Sequence, residues 1–244
     1  MLFKVYCENI ENTPENTKSA DLVVYYGLAE SFVNKLLVFY EYLSDHEKSR
    51  ADRFKLEPDY RCYVSVHALL RIELSKLLKI KARSIRIGES EYGKPFIPGI
   101  DLPFSLSTAK NLFAFAVGHS NQLLGIDIEQ IKPDIDFINI SRNYFSIKEQ
   151  QLILSFKNST DQKCRFFEIW TRKEAILKAI GIGLNADLTK VQVLEGGNIL
   201  SLPGVQINNH VFKIATAIKK EAFISIASSV DFIPSFKNLS FVLS

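Results

Sequence analysis

Two stretches of this 244-residue chain set carboxylates inside apolar runs. They are Leu123–Glu129, LLGIDIE, and Trp170–Gly181, WTRKEAILKAIG. Read as a strand, the first puts Leu124, Ile126 and Ile128 on one face and Asp127 and Glu129 on the other. Two acids so spaced repel each other, and burial sharpens the repulsion. A solvated strand face would account for them. So would a divalent cation, because carboxylate oxygens are hard ligands that Mg²⁺ combines with water and substrate phosphate.

The second stretch reads as a helix. Trp170, Glu174 and Lys178 fall at four-residue steps and project from one face, beside an apolar stripe of Phe166, Ile169, Ile176, Leu177 and Ile180. Alone, Glu174 and Lys178 make an ordinary surface pair worth ~0.3 kcal/mol. Set against the acidic strand, three acids and a lysine can hold one metal ion and one polyphosphate.

The elements that must position these groups follow from periodicity and turn chemistry. Strands are expected at Asp21–Val24 and Phe104–Ser107. Helices are expected around Glu30–Tyr42 and over Asp59–Ile80, where Tyr63, Val66, Leu70, Leu74, Leu77 and Leu78 repeat near helical spacing. Tyr92–Pro95 is turn chemistry. Leu112–Val117, GHSNQ and Leu123–Glu129 read as a hairpin. Ser146 and Glu149 have the form of a capping box opening a helix to about Phe156. A longer helix runs from Asp161 to about Ile180, with Gly181 and Gly183 as stops. Strands at Val191–Leu194, Val211–Ala217 and Phe223–Ser228 follow. In each half a long helix precedes a strand and a hairpin of apolar strands. The fold class expected is therefore α+β, two similar lobes, each a helix on a small antiparallel sheet.

Bulk properties narrow the functional classes. The chain is 47% hydrophobic and 23% charged, as a globular protein with a real core requires. Three scattered cysteines, Cys7, Cys62 and Cys164, suggest neither a disulfide framework nor a zinc site. The opening residues lack a basic segment followed by an apolar one, and no run approaches the ~20 apolar residues of a spanning helix. A cytoplasmic setting without membrane attachment is expected. Between Ser44 and Arg86 eleven Lys/Arg face six acids, a net of +5 in a chain of net +3. Such a window is either a solvated helix face or a patch for an anionic partner. A nucleic-acid-binding module would interleave aromatics with these bases, and its binding would depend steeply on salt. The bases here sit mostly on an amphipathic helix, so no nucleic-acid partner is expected.

The motifs together carry a resemblance. Gly125–Glu129, GIDIE, followed by WTRKEAILKAIG resembles the signature pair of the 4'-phosphopantetheinyl transferases, and more narrowly their long, single-chain, surfactin-synthetase-activating type. Glu91–Pro98, EYGKPFIP, is similar to that family's Gly-Lys-Pro segment. Phe104–Ser107, FSLS, resembles the start of its Phe-Asn-x-Ser-His segment, and Phe145-Ser146 before Glu149 also fits. The resemblance runs from about Leu43 to Val193.

The resemblance implies a pseudo-twofold pair of lobes, here 1–118 (basic, coenzyme A side) and 119–244 (metal-binding and catalytic helix), with the site between them. It implies transfer of the phosphopantetheine arm of coenzyme A to a serine of an acyl or peptidyl carrier protein, with release of 3',5'-ADP. Asp127, Glu129 and Glu174 would hold Mg²⁺, or Mn²⁺ in its place. Glu174 would serve as base, directly or through water, and Lys178 would meet the departing phosphate. Lys48, Arg50 and Arg61 would take the 3'-phosphate, Lys94 the adenine and ribose end, and Ser107 and Thr108 a phosphate. The implied protein is a monomer.

One position departs from the family pattern. The family's Ser-His pair reads Ser107-Thr108 here, and a threonine hydroxyl offers a hydrogen bond without charge. Weaker coenzyme binding or an altered pH dependence is expected. None of His46, His67, His119 and His210 sits in that motif, and each reads as structural or superficial. Trp170 reads as core, and Phe137–Phe145 as a core loop or a docking rim. A non-catalytic binder of coenzyme A or carrier protein is the alternative; intact Asp127, Glu129, Glu174 and Lys178 speak against it.

Overall fold

The computed structural model describes residues 20–183, 186–194, 198–199 and 211–239; Cys7 and the opening stretch lie outside them. The first described elements are β1 (Ala20–Leu28), a 3-10 segment (Ala29–Lys35), α1 (Leu36–Tyr42), α2 (Asp45–Ala51) and α3 (Glu57–Leu78). Next come β2 (Gly88–Glu89), β3 (Pro95–Phe96), β4 (Phe104–Ala109), β5 (Leu112–Val117) and β6 (Leu124–Gln130). The rest are α4 (Phe137–Tyr144), α5 (Ile147–Leu154), α6 (Ser159–Ile180), β7 (Val191–Gln192), β8 (Asn198–Ile199), β9 (Lys213–Lys219), β10 (Ala222–Ser228) and β11 (Phe232–Leu239).

The two long helices form where apolar periodicity meets good ends. α3 carries Pro58 in its first turn with Glu57 and Asp59, which suit the positive end of the helix dipole. α6 opens on Asn158, whose side chain accepts from the Asp161 amide, and closes on Gly181 at φ 82°, a conformation glycine adopts without strain. α3 packs Tyr63, Val66, Leu70 and Leu74 onto Phe104, Phe113 and Phe115 of one sheet. α6 packs Phe166, Ile169, Ile176 and Leu177 with Phe223 of the other. Between the sheets lies a third apolar layer, with Leu22, Val24, Ala114 and Ala116 on one side and Ile126, Ile128, Ile224 and Ile226 on the other. The architecture is α+β, helix–sheet–sheet–helix.

The lobes repeat one plan. One sheet runs β11-β1-β5-β4 and the other β6-β10-β9. Without β11 the two orders correspond: an opening strand, a long helix, then a hairpin whose second strand lies centrally. β11 pairs with β1 in parallel, the only such pair in either sheet among the described residues. α3 and α6 begin and end 102 positions apart. Ser44, Glu47 and Arg71 recur at the same interval as Ser146, Glu149 and Lys173.

Each trio forms the same buried clamp. Ser44 and Glu47 complete a capping box at α2, as Ser146 and Glu149 do at α5. Arg71 reaches Glu47 at 2.6 Å and the carbonyls of Ala82 and Ile85 at 2.6 and 3.1 Å. Lys173 reaches Glu149 at 2.9 Å and the carbonyls of Leu188 and Val191 at 2.8 and 2.5 Å. A buried ion pair is tolerable only when its remaining valences are also met, and these carbonyls meet those of the cations.

Two readings are corrected. β5 and β6 are not a hairpin: β5 pairs with β4 and β1, and β6 pairs with β10. The tight turn is Lys110-Asn111, with Lys110 at φ 54°. GHSNQ instead carries the chain from one sheet to the other. Gln122 accepts from the His119 amide and donates to Ser228 Oγ, fixing that crossing. Phe137–Tyr144 is not a loop but α4, capped by Phe145, with Phe137 and Phe145 buried and Tyr144 edge-on to Trp170.

Candidate active site

Gly125 decides how closely the acidic strand meets α6, the helix that carries Glu174 and Lys178. A Cβ at Gly125 would stand 2.0 Å from the Ala175 carbonyl oxygen and 2.3 Å from the Ala179 nitrogen. Only a bare backbone fits, so β6 lies directly against α6. Strand alternation then turns Asp127 and Glu129, on the Gly125 face, toward that helix. Lys178 Nζ stands 2.7 Å from Asp127 Oδ1. Ser107 Oγ, from β4, donates to the same oxygen at 2.8 Å and accepts from Lys178 at 2.7 Å. Neighbouring Ser105 Oγ accepts from the Ile126 amide at 3.0 Å, stitching β4 to β6. The seam between the lobes therefore carries the ionic cluster.

The carboxylates are under electrostatic stress. Burial, then the charge of Asp127, push Glu174 up to about 7; Lys178 opposes this and Glu129 adds to it. Burial and Asp127 likewise raise Glu129, against Lys132, which stands 3.5 Å from it. Asp127 Oδ2 and Glu174 Oε1 are buried without a hydrogen-bond partner. Such oxygens are uncommon in folded proteins and ask for a ligand. Among the described residues, no three acidic, histidine or cysteine side chains close tightly enough to chelate an ion. The donor chemistry nevertheless suits a hard cation: buried carboxylate oxygens, two of them orphaned, on repelling acids.

Two adjoining cavities lie beside the cluster. The first, about 450 Å³, includes Arg50, Tyr63, His67, Ser107, Thr108, Lys110 and Lys178 in its lining. The second, about 530 Å³, shares Arg50, Tyr63, His67 and Leu106, and adds Glu89, Gly93 and Pro95 among others. Arg50 lies over the Tyr63 ring at 5.7 Å and within 3.6 Å of Glu89.

The sequence-derived residues thus divide. Arg50, Ser107, Thr108 and Lys178 line the cavities, and Asp127, Glu129 and Glu174 gather at the seam beside them. Lys48 pairs with Glu41 at 3.2 Å and covers the Tyr40 ring, while Arg61 pairs with Glu57 at 2.8 Å; neither lines either of these two cavities. Lys94 donates to the Ala179 carbonyl at the end of α6, and its alkyl chain packs over Gly181. Burial lowers its amine to about 8. Sequence reasoning omitted Tyr63, His67 and Lys110. Tyr63 read as part of the apolar stripe of α3 and His67 as structural or superficial; Lys110 sits in the hairpin turn that was not read.

Comparison with known proteins agrees with this geometry. Residues 31–130 match the model of the 4'-phosphopantetheinyl transferase N-terminal domain, and residues 123–219 that of the 4'-phosphopantetheinyl transferase superfamily. The chain is 32% identical over 155 residues to the 4'-phosphopantetheinyl transferase HetI of Nostoc sp., covering 62% of this chain and 64% of that one. It is 30% identical over 165 residues to a 4'-phosphopantetheinyl transferase of Bacillus subtilis, covering 66% and 71%. Against the Sfp transferase of Bacillus subtilis strain 168 it is 30% identical over 156 residues, covering 64% and 67%. The matched stretch thus spans about two thirds of these relatives. With both lobes matched in register and the acidic strand facing the Glu174 helix, the chain belongs to the 4'-phosphopantetheinyl transferases, of the Sfp-like kind.

Proposed function

We propose that the chain transfers the 4'-phosphopantetheine arm of coenzyme A to a serine hydroxyl of an acyl or peptidyl carrier protein. The serine oxygen attacks the β-phosphorus of the coenzyme, the bond from that phosphorus to the bridging oxygen breaks, and 3',5'-ADP leaves. The observation that carries this reading is the seam. Glu174 is poised near neutrality with an orphan oxygen, beside Lys178 on Asp127, at the edge of a cavity lined by Arg50 and Lys110.

Asp127, Glu129 and Glu174 would hold Mg²⁺, which supplies positive charge to pyrophosphate oxygens when bound. Glu174, deprotonated, takes the serine proton. Lys178 presents its ammonium to the departing phosphate, where negative charge grows. Asp127 and Ser107 hold that ammonium in place. Arg50 can grip a phosphate with two parallel hydrogen bonds. The lobes divide the work at 1–118 and 119–244, the first supplying Arg50, Ser107 and Thr108, the second the acids and Lys178. We read the protein as a cytoplasmic monomer without nucleic-acid or membrane partners. Among the described residues no helix is long and apolar enough to cross a membrane.

The test is mass spectrometry of a purified carrier protein after incubation with the chain, coenzyme A and Mg²⁺. A carrier heavier by one phosphopantetheine arm is the expected product. No added mass on any of several acyl and peptidyl carriers, with coenzyme A still bound, would favour the non-catalytic binder.

A further inference from the structure

The repeated clamp supplies an internal control for one residue that the transferase reading leaves without a role. In the first lobe Glu47 uses Oε2 for Arg71 and for the Ser44 amide and hydroxyl, at 2.6, 2.8 and 2.8 Å. Its second oxygen, Oε1, meets His67 Nδ1 at 3.3 Å. In the second lobe Glu149 uses Oε2 for Lys173 and for the Ser146 amide, at 2.9 and 2.7 Å. Its Oε1 is buried with no partner. The position 102 residues after His67 is Ile169, fully buried in the apolar core. The clamp therefore stands without an imidazole, and the carboxylate then leaves one oxygen empty. His67 is an addition to the first lobe only.

The addition faces the ligand space. His67 lines both cavities, at their junction with Arg50 and Tyr63. Its ring lies 4.0 Å from that of Tyr63, centroid to centroid, which limits its swing. With Nδ1 committed to Glu47, Nε2 is the remaining ring nitrogen. In a neutral imidazole donating through Nδ1, Nε2 can only accept; in an imidazolium it donates. Nδ1 faces the Glu47 carboxylate. Burial pushes this carboxyl up, but the His67 hydrogen bond and the charges of Arg71 and His67 outweigh it and lower it to about 2. Other charges around the junction are Arg50 and Glu89, with Asp59, Lys110 and Lys178 farther along the first cavity. Thr108, in the same cavity, contributes no charge.

We propose that His67 is a coenzyme-contacting residue, seated on Glu47, that binds through Nε2, together with Arg50, the phosphomonoester of coenzyme A remote from the reacting phosphorus. The assignment rests on the transferase reading. Lys178, which lines the first cavity and not the second, marks the reacting end. The junction with the second cavity is where a phosphate at the far end of the same ligand would lie. A phosphomonoester carries more negative charge than a bridging phosphate, and suits an arginine fork beside a further ring nitrogen able to donate.

The test compares coenzyme A with dephospho-coenzyme A, which lacks that phosphomonoester, in the wild-type chain and in His67→Gln. His67→Gln is expected to raise KM for coenzyme A by about tenfold, the worth of one charge-assisted hydrogen bond, with a much smaller change in kcat. KM for dephospho-coenzyme A is expected to stay within twofold. His67→Ile copies the second lobe. It is expected to keep the thermal midpoint while losing coenzyme affinity. Equal losses on both coenzymes, or an unchanged KM for coenzyme A in a folded His67→Gln, overturn the assignment and leave the transferase reading standing. A wild-type chain that binds neither coenzyme overturns both.

Discussion

Lys178 reaches across the lobe seam to Asp127, Nζ to Oδ1 at 2.7 Å, and Ser107 closes the triangle at 2.7 and 2.8 Å. The ammonium thus neutralises an acid cluster that would otherwise attract a cation more strongly. Lys178→Met is expected to slow phosphopantetheine transfer ~100-fold, the scale for removing one charged stabiliser of a developing anion. The same change should tighten Mg²⁺ binding severalfold, because one positive charge leaves the neighbourhood of three negative ones. Calorimetric titration with Mg²⁺ alongside a transfer assay separates the two effects. Slower transfer with weaker Mg²⁺ binding would mean that the variant has disturbed the cluster as a whole.

Glu174 sets activity against stability. Its folded value of about 7 lies above its ordinary 4.5. Between those values the folded chain holds more protons than the unfolded one, so stability is present below 4.5 and declines as pH rises through 7. The full cost of the ionised carboxylate is up to ~3 kcal/mol without a divalent cation. Glu174→Gln removes that charge. Its thermal midpoint should exceed the wild type's at pH 8 in chelator and match it near pH 4.5, while transfer falls ~100-fold or more. A lower midpoint at pH 8 would refute the stress on this group.

Gly125→Ala would drive a Cβ into backbone atoms of Ala175 and Ala179, which cannot rotate away as a side chain does. A loss of ~3 kcal/mol or more is expected in urea unfolding. The separation of β6 from α6 would also part Lys178 from Asp127, so activity should fall faster than the folded fraction.

Thr108 is exposed at the lining of the first cavity and brings only a hydroxyl. Thr108→His adds a potential cation without filling buried space. It is expected to lower KM for coenzyme A severalfold below pH 7, with the gain fading toward pH 8.5. Steady-state kinetics across that range decides, and a flat response would show that the hydroxyl is sufficient.

Four residues at the seam were legible because short-range geometry places them. A two-residue step puts Asp127 and Glu129 on one strand face, and a four-residue step puts Glu174 and Lys178 on one helix face. The lobe plan was visible as a succession of elements, but its 102-residue register was hidden because arginine fills the clamp once and lysine the second time. Strand partners were not legible: alternation shows which face is buried but not which strand lies alongside, so β5 and β6 were joined wrongly. Nor could the basic window show which of its side chains face the ligand. Lys48 and Arg61 bind acids of their own neighbourhood, while Arg50 reaches the cavities. His67 passed for a structural or superficial histidine because nothing in its spacing from Tyr63 sets it apart from any neighbouring pair on a helix.

The parallel match of β11 with β1 has a consequence for synthesis on the ribosome. Ala20 to Gly27 must wait for Phe232 to Leu239 before that edge is sealed. Over some two hundred codons of translation, the nascent first lobe exposes an unpaired border rich in tyrosine and valine. Vectorial folding should therefore let the second lobe mature on its own three strands, leaving the first to lock only once Phe232–Leu239 have emerged.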